Sequence, residues 1–152
     1  MAAVGVPARC ATWAPRLIAV YGLSLVSAGV FRADPALGFP VGTPQGPTAV
    51  SWHGTAHFLA GAIGFTALAI ACFVLAHRYA NERRHGWAWY SRITGVLFLA
   101  GFVMLAAGGG SQVATVAFIV AVVLVSAWIT AVAVDRYRRV ADAARSDALP
   151  RT

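Results

Sequence analysis

The chain has 152 residues, of which 59% are hydrophobic and only 11% charged, and its mean hydropathy is +0.71. A soluble domain carries about 25% charged residues, so this balance excludes a soluble globular domain and a disordered chain, while two cysteines exclude a disulfide scaffold. Twelve arginines, no lysine and five acids give a net charge of +7 and a pI near 10.8, yet the arginines flank apolar runs instead of covering a surface, which points to membrane headgroups and not to nucleic acid.

Four apolar stretches follow in chain order. Each is predicted as a membrane-spanning helix, because backbone amides in lipid must pair within their own segment. The first covers residues 14–31, with Pro15 in its first turn, where no N–H donor is needed. The second covers 56–76 and is uncharged except for His57; the third covers 93–107 and the fourth 113–134. A span needs about 20 residues, so the first and third must borrow interfacial residues. Residues 1–140 therefore form a single all-α membrane domain, a four-helix bundle, and 141–152 a flexible tail. The fourth helix should continue into that tail as a short solvated helix before fraying at Pro150.

Arginine placement sets the orientation. With the N-terminus inside, the inner segments hold eleven arginines and the outer loops only Arg32, so both termini are expected in the cytoplasm. Trp13, Tyr79, Trp87, Trp89, Tyr90 and Tyr137 then lie near the inner interface, with Phe31, Phe39 and Trp52 near the outer one. A rival reading takes Arg9, Arg16 and the apolar run up to Ser27-Ala28-Gly29 as a cleaved signal peptide, leaving three spans.

The outer loop from Arg32 to the second span holds Pro35, Pro40, Pro44 and Pro47 with Gly38, Gly42 and Gly46 among them. That density forbids regular structure. Phe39, Val41, Val50 and Trp52 give the loop apolar handles for folding over the bundle as a cap, and Thr48 or Ser51 can cap the next helix. That helix opens Trp52-His53-Gly54-Thr55-Ala56-His57, which sets two imidazoles at i and i+4 on one face. The same face continues through Ala60, Gly61 and Gly64, small residues that admit a neighbouring helix, so the imidazoles should point into the outer mouth. Asp34 is expected at that mouth, hydrogen-bonding an imidazole, and Gln112 within reach.

Two readings of this cluster stand side by side. His53, His57 and Asp34 can bind zinc with an open fourth position. Alternatively, the imidazoles are interfacial groups hydrogen-bonded to loop carbonyls, and no cofactor is needed; HxxxH is a short pattern, and this second reading is preferred. His77 and His85 belong to the inner side, no CxxC relates Cys10 to Cys72, and no Asp, Glu, Lys or Arg lies within a span, which argues against an ion-coupled transporter. Gly108-Gly109-Gly110 marks a tight outer turn and not a phosphate loop. Ala56, Ala60 and Gly64 form a small-residue stripe that packs either within the chain or between copies of a homo-oligomer.

The segment GVFRADPALGFPVGTP, followed by SWHGTAHFLAG and a long helix ending at an arginine-rich loop, resembles the bacterial domain-of-unknown-function 998 membrane proteins. The resemblance covers residues 14–140, and its most specific parts are Asp34-Pro35, Gly38-Phe39-Pro40 and Trp52-His53-Gly54 with His57. It implies a multi-pass protein of the bacterial cytoplasmic membrane with six helices, of which the first two are expected to be lacking here. That even offset leaves the orientation unchanged. No activity comes with the resemblance. Two functions follow: a non-catalytic module binding a lipid, amphiphile or partner protein at its outer face, with membrane lipid around its inner arginines, or a metal- or His-dependent enzyme acting on a lipid-derived substrate. The first is preferred.

Overall fold

The computed structural model describes residues 9–35, 41–43, 49–107 and 111–148. They form four helices in chain order: α1 (Arg9–Val30), α2 (Trp52–Asn81), α3 (His85–Ala107) and α4 (Gln112–Ala148). No strand occurs among them. All four are long and apolar enough to cross a membrane, so the chain is an all-α, multi-pass bundle.

The helices run past the apolar windows that foretold them. α3 starts at His85 and takes in Trp87, Trp89, Tyr90 and Arg92. The interfacial residues that a short span must borrow are thus helical themselves, since nothing in them breaks a helix where water replaces lipid. α1 starts at Arg9, which makes Pro15 an interior residue and not a first-turn one. The ring supplies no N–H for the Ala11 carbonyl, and the helix tolerates this one turn before its apolar stretch, where polar surroundings can satisfy the freed group. α4 continues as helix through the Arg/Asp-rich segment to Ala148, and Pro150 lies outside the described residues.

Backbone packing is sequential: α1 lies on α2, α2 on α3 and α3 on α4. A glycine marks each crossing. A Cβ on Gly64 would collide with the Ser24 side chain of α1. One on Gly95 would stand 2.9 Å from the Cys72 Cβ of α2, and one on Gly101 2.9 Å from the Ala121 Cβ of α4. Lipid gives no hydrophobic force to drive helices together, so they associate by such close approach. α2 is the central element, burying Leu68, Cys72, Leu75 and Tyr79. Side chains then tie α4 back to α2: Phe65 meets Phe98, Phe102 and Phe118 at ring separations of 5.5, 5.2 and 5.3 Å. The buried Trp128 indole donates to Ser91 Oγ (2.9 Å), whose hydroxyl donates to the Trp87 carbonyl.

α2 ends in a Schellman turn. The Arg84 N–H bonds the Tyr79 carbonyl (2.8 Å) and the Arg83 N–H bonds that of Ala80 (3.0 Å). Arg83 holds the left-handed position (φ 57°) that glycine usually takes. Arg84 then lays its guanidinium over the Tyr79 ring, 4.9 Å from the centroid, in the place of the usual apolar contact across this motif.

Candidate functional site at the junction of the first two helices

The end of α1 and the start of α2 are joined by two polar clasps. In the first, Ser51 is the N-cap of α2: its Oγ accepts from the Gly54 N–H at 3.1 Å. Asp34 accepts from the Ser51 hydroxyl through one carboxylate oxygen and from the Ser51 N–H through the other, the latter at 2.8 Å. A carboxylate thus completes the first turn of α2, where unpaired N–H groups and the helix dipole favour negative charge. The Ser51 hydroxyl and N–H hold the Asp34 carboxyl below its ordinary value, and the nearby His53 adds to the lowering. Gly54 is buried beneath this clasp, and a Cβ there would collide with the carboxylate.

In the second clasp, His57 Nδ1–H lies 2.9 Å from both the Ala28 and the Phe31 carbonyls. Both oxygens only accept, so Nδ1 carries the proton. Ala28 lies in the last turn of α1 and Phe31 directly follows it, where the helix has no internal donors left, and the imidazole of α2 supplies one across the helix pair.

The expected cluster is therefore brought together in part. Asp34 is at the mouth, but it bonds Ser51 and no imidazole: backbone and hydroxyl donors at a helix start outcompete a ring one turn further on. His57 is half-buried and His53 exposed. His53 stacks on Trp52 at a centroid separation of 3.7 Å, and Phe31 closes the group edge-on at 5.9 Å from Trp52 and 6.2 Å from His53. Gln112 is exposed on the first turn of α4, whose backbone packs on α3 and not on α1 or α2. Among the described residues no group of three or more His, Cys, Asp or Glu is assembled that could hold a metal.

Among the described residues the loop is held through Asp34. Val41, Val50 and Trp52 are exposed, and Phe39 and Thr48 lie outside the described residues. Beneath the clasps, an open apolar groove of about 330 Å³ follows the α1/α2 seam, lined by Val20, Leu23, Ser27, Leu59, Ala60 and Ile63 and ending at Phe31. Two members of the small-residue stripe, Ala56 and Ala60, line it, and the third, Gly64, is the crossing with Ser24. Gly64 is thus used within the chain, while Ala56 and Ala60 face the open groove.

A second polar cluster at the opposite end escaped the sequence reading. Arg84 forms a two-pronged pair with Asp135 of α4 (2.8 and 2.6 Å), and Arg136 stacks on Tyr79 at 5.1 Å. Glu82 pairs with Arg78 at 2.9 Å and Arg136 at 3.9 Å. The bond to Asp135 holds the Arg84 guanidinium above its ordinary value. Two of only five acids fall beside span ends in the sequence, which was the available signal. His77, bonded to Asn81 at 3.2 Å, and His85 lie at this end, remote from His57.

No curated protein and no solved structure matches the chain. The model of the family described as Protein of unknown function (DUF998) matches residues 1–135, and the protein belongs to that family.

Proposed function

We propose that this protein is a non-catalytic module of the bacterial cytoplasmic membrane that binds the apolar chain of a lipid or amphiphile in the α1/α2 groove at its outer face. The groove itself carries the reading. Its volume, about 330 Å³, falls within the range of small-ligand sites, and its lining is apolar except for the Ser24 and Ser27 hydroxyls. Those hydroxyls bond carbonyls of their own helix, so they ask nothing polar of an occupant. The Asp34 and His57 clasps fix the angle between the two helices, which keeps the groove open. Phe31, Trp52 and His53 form an aromatic rim of the kind that sits at headgroup level. The non-catalytic assignment is supported by what Asp34 and His57 already do: both are engaged in holding helix ends.

A photoactivatable long-chain amphiphile tests the reading. It should label the segment around Leu59 and Ile63, and Ala60→Trp, which fills the groove, should remove most of that label. Leu99→Trp, on an exposed position of α3, should leave it intact. Equal labelling of both variants would show that the groove holds nothing.

A further inference from the structure

We propose that the arginine-rich end of the same helix pair is a phospholipid seat, in which Trp13 and Arg16 hold the phosphate and the trough above them takes an acyl chain. The inference goes beyond the outer-face reading and does not require it.

The trough is a second apolar depression of about 460 Å³, lined by Leu17, Val20, Ile63, Thr66, Ala67 and Ile70. It meets the outer groove at Val20 and Ile63, which line both. The α1/α2 seam is therefore furrowed from Phe31 at one end to Leu17 at the other. Trp13, Leu17 and Val20 succeed one another at spacings of four and three, so they share one face of α1. One turn below the trough, the Arg16 guanidinium stands over the Trp13 ring, 6.0 Å from its centroid. The indole is 55% exposed, so a ligand can reach it.

The charges decide which ligand fits. Glu82 and Asp135 are taken up by Arg78, Arg84, Arg136 and Arg139. Among the described residues Arg16 has no carboxylate partner, and the residue is exposed. A guanidinium fork matches the oxygens of a phosphate, and stacking on the indole fixes its plane beforehand. An indole at this level also sits where acyl chains meet headgroups. A phosphate bound there would have its apolar chain directly below the mouth of the trough. Neither a free phosphate nor a neutral lipid would use both parts.

The chain contains its own control. Trp89 and Arg92 repeat the Trp-x-x-Arg spacing on α3, with the guanidinium 5.4 Å from the ring, but they line neither trough. A diffuse attraction of anionic lipid to basic residues would use both pairs alike.

The test is lipid retention by the purified full-length chain, measured by native mass spectrometry. Palmitoyl-oleoyl phosphatidylglycerol is compared with the matching diacylglycerol, which lacks the phosphate, and with glycerol 3-phosphate, which lacks the chains. Phosphatidylglycerol should be retained, and the other two should not. R16Q should lower its retention about fivefold, the usual worth of one basic residue at an anionic surface. R16K, which keeps the charge without the fork and is the milder change for folding, should lower it less. T66W should block the trough with Arg16 intact, and R92Q should have little effect. Equal losses in R16Q and R92Q, unchanged retention in R16Q, or retention of diacylglycerol to the same degree would each overturn the proposal.

Discussion

Asp34 carries its charge where a helix start can use it, and this makes the junction sensitive to acid. Its folded value lies below the unfolded value of about 3.9, because Ser51 donates to the ionised form. The stabilisation is fully present above that unfolded value and is lost as pH falls through the lower folded one. The thermal midpoint should therefore drop below about pH 4, and Asp34→Asn should remove that part of the drop while the other carboxylates keep theirs. An unchanged acid profile in Asp34→Asn would contradict the clasp. Arg83 offers the opposite kind of change. It occupies a left-handed position at a cost of about 1 kcal/mol, so Arg83→Gly should stabilise the chain by about 0.5–1 kcal/mol in a denaturation series. At this scale the sequence revealed the N-cap Ser51 and the presence of Asp34 at the mouth. It did not reveal the partners. Helix-end N–H and carbonyl groups are invisible until the ends are placed, and they are the partners of Asp34 and of His57 Nδ1.

Each helix crossing rests on a glycine, and Gly64 against Ser24 is the tightest. Gly64→Ala should destabilise by about 1–3 kcal/mol, the range for forcing a methyl into a packed contact. Ser24→Gly added to it should recover much of the loss, since it removes the atoms that the new methyl meets. If the double variant is no more stable than Gly64→Ala alone, the α1/α2 crossing is not built as described. The stripe Ala56, Ala60, Gly64 was legible because spacing defines a face. Its neighbour was not, because spacing says nothing about which helix arrives there. Gly95 and Gly101 carry equivalent crossings but sit in uniformly apolar helices, where periodicity has no contrast to reveal them. Helix existence was legible throughout. The ends were not, because an apolar window stops at the interface and the helix does not: α3 gains its aromatic and arginine residues in this way.

Across the whole molecule the two ends differ in chemistry. One end gathers Arg78, Arg84, Arg136 and Arg139 around Glu82 and Asp135, and this network ties the α2–α3 turn to α4. The other holds Asp34, His53 and His57 around an aromatic rim. Two furrows along the α1/α2 seam open toward these two ends, and each lipid assignment depends on which side of the membrane its end faces. The measurement that bears on this most directly is sidedness, by reporter fusions in living bacteria. A reporter placed after Arg84 and one at the C-terminus should both signal cytoplasm, while one inserted near Gly46 should signal the exterior. An exterior signal from the C-terminus, or a cytoplasmic one from Gly46, would contradict the four-span orientation and with it the assignment of the outer groove and the inner seat to their leaflets.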